Sequence, residues 1–138
     1  MKKSIKLMLG FILCVLAVSC GQPTVADIVE GANEEIAGKT EDGITYESIT
    51  LEGKDIVFKC KVNDFNFAQI GGVALFESAM AQTFDMSMIE NAFAGDENTE
   101  KELKIIVDEG CNIVYKFIDS NGDVAKYTIT NAQLKEAL

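Results

Sequence analysis

Ile44-Thr45-Tyr46-Glu47-Ser48-Ile49-Thr50-Leu51, then Glu52-Gly53-Lys54, then Asp55-Ile56-Val57-Phe58-Lys59-Cys60-Lys61-Val62 is the stretch that decides the fold. Both arms are rich in β-branched and aromatic residues, and Gly53 sits in a turn-like break between them. In the second arm Ile56, Phe58, Cys60 and Val62 alternate with Val57, Lys59 and Lys61. Side chains on a strand point alternately to opposite faces, so this arm buries one face and leaves the other largely wet. A hairpin with one apolar face is stable only under a cover, so the rest of the chain must supply helices.

It does so on both sides. Upstream, Pro23 and Thr24 open a helix with Thr24-x-x-Asp27 as a loose capping box. Val25, Ile28, Val29, Ala32 and Ile36 recur at helical spacing, Glu30, Glu34 and Glu35 take the other face, and Gly38 is a natural stop. Downstream, residues Asn63 to Phe84 read as a second helix whose stripe is Ile70, Val73, Phe76, Met80 and Phe84, with Gly71-Gly72 as a kink or close-packing point. Met86, Ile89 and Phe93 extend the helical pattern, Gly95 to Asn98 form a loop, and Thr99-x-x-Glu102 caps a short helix through Leu103, Ile106 and Val107 to Gly110. A second hairpin follows, Cys111 to Ile118 and Val124 to Thr130, around Asp119-Ser120-Asn121-Gly122 with its Asn-Gly turn signal. Asn131 to Leu138 make a terminal helix or tail. The expected fold is α+β in the order α-β-β-α-(α)-β-β, with one antiparallel four-stranded sheet and helices packed on one face. The two hairpins are faintly alike, too faintly to establish a duplication.

Charge and composition restrict the chemistry. The 138 residues hold 12 basic and 22 acidic side chains, a net −10, and no histidine. All 12 bases are lysine, and Lys2, Lys3 and Lys6 lie in an acid-free leader, so the remainder carries nine lysines and about −13. Nucleic acid and anionic membrane surfaces would repel such a body at long range. Without histidine there is no Ser–His or Cys–His nucleophile and no imidazole metal site; without arginine there is no planar fork for phosphate.

The leader is the most specific signal. Met1-Lys2-Lys3-Ser4-Ile5-Lys6 is a positive n-region, and Leu7 to Val18 is an apolar run of signal-peptide length, too short for a bilayer span. It ends in Leu16-Ala17-Val18-Ser19-Cys20. This resembles the lipobox of bacterial lipoproteins, although its leucine sits four places before the cysteine instead of the usual three. The resemblance implies a signal peptide over 1–19, a diacylglyceryl group on Cys20, a tether over 20–23 and a single domain over 24–138. The rival is ordinary cleavage after Ala17-Val18-Ser19, which would leave Cys20 a bare thiol. Gly21, with no aspartate beside Cys20, is similar to the junction of outer-membrane lipoproteins, and Ser19-Cys20-Gly21-Gln22 to those of Bacteroidota. The first acid is as late as Asp27, which favours a periplasm-facing domain over one on the cell surface. The layout also resembles small periplasmic α+β lipoprotein domains, and loosely the pilotin and inhibitor types, with no signature residue to transfer.

Other candidates are weaker. Once Cys20 is acylated, Cys60 and Cys111 remain as an even pair that could bond across the sheet or stay as two buried thiols. Asp119, Asn121 and Asp123 look calcium-like, but the glycine falls at the fourth position of the loop and no bidentate glutamate closes it. Asp96, Glu97, Glu100 and Glu102 read as a solvated run at a helix start. Phe65 and Met88 fall off the main apolar stripe, and with Met86 they are the candidates for an exposed partner or ligand surface. These readings favour a non-catalytic, membrane-anchored module that binds another envelope protein through its sheet or its Phe/Met-rich helix. The alternative is a periplasmic carrier or sensor of a lipid or small apolar ligand. No cofactor, metal or nucleic-acid partner is expected.

Overall fold

The computed structural model describes residues 23–41, 43–83 and 97–138. In chain order the elements are α1 (Val25–Ile36), β1 (Thr40–Glu41), β2 (Ile44–Glu52), β3 (Asp55–Val62), a 3-10 turn (Phe67–Ile70), α2 (Val73–Thr83), α3 (Glu97–Asp108), β4 (Asn112–Ile118), β5 (Val124–Ile129) and α4 (Asn131–Glu136).

The α+β class holds, and the described helices share one core with one face of the sheet, but the sheet differs from the expected one. It has five strands in the order β1-β2-β3-β4-β5, and β3 pairs with β4 in parallel, from Asp55 beside Asn112 to Lys61 beside Ile118. The connection explains the direction. α2 and α3 lie between β3 and β4 in the chain, and parallel neighbours need a long crossover connection of this kind. The fifth strand is two residues long, too short to show any alternation, and folds back on β2 around Gly43, whose φ is +79°.

In β2 the apolar residues change phase, Ile44 and Tyr46 being followed by Ile49 and Leu51. A bulge between Tyr46 and Ser48 absorbs the change and keeps Ile49 opposite Phe58 and Leu51 opposite Ile56. The Ile49 N–H donates to Asn33 Oδ1 of α1 at 2.8 Å, which ties helix to strand just beyond the bulge. α1 starts as the sequence implies: the Asp27 N–H donates to Thr24 Oγ1 and the Thr24 N–H to Asp27 Oδ2, at 3.2 and 2.9 Å.

The second helix is shorter than its sequence pattern. Asp64 at φ +54°, then Gly71 and Gly72 at +104° and +114°, divide the segment, so α2 begins only at Val73. The break shifts the phase of what precedes it, and Ile70 is exposed while Phe76 and Met80 are buried. α3 opens at Glu97, so Thr99 lies inside it and is not its cap. Glu97 and Glu100 are exposed, but Glu102, beside the Leu103 and Ile106 stripe, is buried. α4 carries a second capping box, Thr130 with Gln133.

An asparagine knot fastens one end of the sheet. The Asn131 amide nitrogen donates to the carbonyls of Val107 and Cys111, its backbone N–H to Asn112 Oδ1, and Asn112 Nδ2 to Asp55 Oδ1, all within 3.1 Å. Among the described residues no helix is long and apolar enough to cross a membrane.

Candidate functional site

Among the described residues, aromatic rings pack on one another between helices and sheet. Phe58 and Tyr115 pack in a tilted pair at 4.9 Å between ring centres, Phe67 and Phe76 in another at 4.6 Å, and Phe76 meets Phe117 edge-on at 5.5 Å. Phe65 belongs to this cluster. It is half-buried, with its ring 6.1 Å from Phe67 and 6.4 Å from Phe76, so it closes the end of the core and does not form a free patch. Cys20, Met86 and Met88 lie outside the described residues.

Of the two readings of Cys60 and Cys111, the fold favours the pair of buried thiols. Cys60 and Cys111 are both buried and free. Parallel register is the reason: Cys60 stands beside Phe117, whereas Cys111 precedes Asn112, which stands beside Asp55. Six residues therefore separate their levels, on the order of 20 Å at ~3.3 Å per residue, far beyond disulfide reach. Burial, reinforced by Glu47, pushes the Cys60 thiol up to about 12. Burial also raises Cys111, with Lys54 opposing and Glu109 and Asp55 adding to the rise. Both thiols stay protonated at neutral pH and are poor nucleophiles.

Asp119 has a structural task. Burial would raise its pKa, but backbone N–H groups of Phe67, Asp123, Asn121 and Gly122 outweigh that effect and hold the carboxyl below its ordinary range. Phe67 N–H donates to Oδ2 and Asn121 and Asp123 N–H to Oδ1, each at 2.9 Å. The carboxylate thus shapes the β4–β5 turn and pins the 3-10 turn to it, which leaves neither oxygen directed at a substrate. Among the described residues no group of three or more acidic or cysteine side chains could hold a metal ion.

The face of the sheet turned away from the helices is different in character. Register aligns Ser48, Lys59, Lys116 and Lys126 in one row across β2 to β5. The rows beside it are Thr45, Lys61, Ile118 and Val124 on one side, and Thr50, Val57, Val114 and Thr128 on the other. Four of the nine lysines that follow the leader therefore share this face. Lys59, Lys61 and Lys126 are exposed and Lys116 is half-buried. Val57 and Val114 are only 5% and 7% exposed, yet neither belongs to the core cluster under the helices. Lys59 Nζ lies 3.6 Å from Glu47 Oε2, a half-exposed pair of the kind that contributes little. The sequence displayed alternating lysines on β3, but only the register shows that β4 and β5 place theirs alongside.

The end where the chain enters is acidic. Pro23, Thr24, Val25, Ala26, Leu51, Ile105, Asp108 and Glu109 line an open cleft of about 510 Å³. Lys54 Nζ closes its neighbourhood, donating to the Glu109 carbonyl at 2.8 Å and lying 3.9 Å from Glu109 Oε2.

These features define a small α+β domain, with helices on one face of a mixed sheet and a lysine-bearing face on the other. Its fold is similar to the crystal structure of a Pseudomonas aeruginosa protein described as a suspected secreted protein, at 11% identity and a TM-score of 0.51, over 86% of this chain and 99% of that one. At that identity the likeness shows the fold alone. No family model matches the chain, and no curated protein matches it.

Proposed function

We propose that this chain is a non-catalytic, lipid-anchored module that binds another cell-envelope protein through the open face of its sheet. The observation that carries the reading is the row Lys59, Lys116 and Lys126 beside Val57 and Val114. Like charges directly opposite one another destabilise a sheet, so the row costs stability that a partner would repay. Among the described residues the helix–sheet interior is packed with aromatic rings, and the cleft near Pro23 is open and lined in part by Asp108 and Glu109, which supports this reading over a carrier that needs an enclosed apolar pocket. The occupied Asp119 carboxylate and the protonated thiols likewise favour binding over catalysis.

Anchoring rests on the leader. With acyl chains on Cys20, α1 begins five residues later, so the domain would sit close to the membrane with its acidic end toward it. Gly21 beside Cys20 supports an outer-membrane address and the late first acid, Asp27, a periplasm-facing one, and a fold neighbour described as a suspected secreted protein agrees with export. Gentle detergent extraction of the native lipoprotein, followed by affinity capture, tests the reading. A stoichiometric envelope protein should co-purify with the wild type. Recovery of the lipoprotein alone, with Cys20 acylated and the fold intact, contradicts it.

A further inference from the structure

We infer that the open face receives an acidic segment of the protein partner, with carboxylates laid over Lys59, Lys116 and Lys126. The inference rests on the domain being a binding module and specifies the chemistry of its partner.

The lysines lie side by side on three adjacent strands, with ~4.8 Å between strands. An extended segment with an acid at every second position presents one carboxylate per ~7 Å on one side, within reach of flexible lysine stems. Thr50 and Thr128, exposed in the next row on either side of the buried Val57 and Val114, add polar contacts beside the lysines. The surrounding body is strongly negative, which disfavours a long polyanion. A compact acidic segment senses chiefly the local lysines, because exposed charges are screened beyond ~8 Å at physiological salt.

The same arrangement argues against an anionic lipid surface as the occupant. Glu52 and Asp55 mark the end at which the chain enters, together with Asp108 and Glu109. Lys59 and Lys61 stand four and six residues farther along β3, about 13 and 20 Å away at ~3.3 Å per residue. A domain tethered at its acidic end turns its lysines away from the membrane, toward a protein.

The experiment uses the acylated mature protein in neutral detergent and a fluorescent peptide alternating glutamate and threonine. The wild type should bind it, more weakly as salt rises, and Lys59→Gln/Lys116→Gln/Lys126→Gln should bind about tenfold more weakly with an unchanged circular dichroism spectrum. No binding, or equal binding by the triple variant, overturns the inference while leaving co-purification of an envelope protein to decide the parent reading. Lysine-dependent capture of phosphatidylglycerol vesicles without peptide binding overturns it in favour of a lipid surface. A lysine-dependent dimer in sedimentation, with no peptide binding, overturns it in favour of a second copy.

Discussion

Lys59 and Lys116 stand directly opposite each other across the parallel β3–β4 pair, and Lys126 stands opposite Lys116 on the next strand. Lys116 therefore has an ammonium-bearing neighbour on each side, and of the three it is the half-buried one.

Removing that central charge should stabilise the domain. Lys116→Gln is expected to raise unfolding free energy by about 0.2–1 kcal/mol, the usual scale of a cross-strand charge effect. Urea denaturation checks it, with the gain shrinking at high salt. A loss of stability would mean that the lysine packs productively and that the row costs nothing.

Asp119 makes stability fall in acid. Its folded pKa is lowered by backbone donors, so its contribution is complete above the unfolded value near ~3.9 and is lost as pH falls through the folded one. Asp119→Ala should lower the urea midpoint at pH 7, and its midpoint should vary less with pH below 5 than the wild type's. Parallel acid profiles for the two proteins would assign the loss to other carboxylates.

The thiols provide an alkaline counterpart. Cys60 is raised from 9.0 to about 12, so its folded form keeps a proton that the unfolded chain releases. Its contribution is complete below pH 9 and is lost as pH rises toward 12. In the acylated mature protein a thiol reagent should label neither Cys60 nor Cys111 before denaturation and both after it. An unreactive denatured protein that gains two thiols on reduction would show a disulfide.

The asparagine knot should be expensive to cut. Asn131→Ala removes two side-chain hydrogen bonds to the Val107 and Cys111 carbonyls, with an expected cost of about 1–3 kcal/mol. Thermal unfolding followed by circular dichroism would show the shift. A change within a few tenths of the wild type would mean that water replaces the amide.

The sequence carried the elements better than their assembly. Alternation at Ile56, Phe58 and Cys60, the Thr24 capping box and the helical spacing of Val25 to Ile36 are local properties, and each survives in the fold. The phase change between Tyr46 and Ile49 was also local, and it marks the bulge. Strand direction across β3 and β4 depends on how residues 63–111 pack, which no short window contains. Whether Cys60 and Cys111 could meet stayed open in the sequence for that reason, since an antiparallel sheet could have brought them to one level. The lysine row was half visible, as Lys59 and Lys61 on β3; the rest is a product of register. Gly71 and Gly72 were seen as a kink, yet their left-handed backbone ends one segment and starts another, which exposes Ile70.

The central claim is that the open face is where this domain meets its partner. The most direct measurement places a photocrosslinking amino acid in living cells at Thr128, exposed on that face, and separately at Glu30, exposed on α1. The account predicts a discrete protein adduct from position 128, none from position 30, and loss of the adduct when Lys59, Lys116 and Lys126 are changed to glutamine. The same adduct from position 30, or an adduct at 128 indifferent to the lysines, would contradict it.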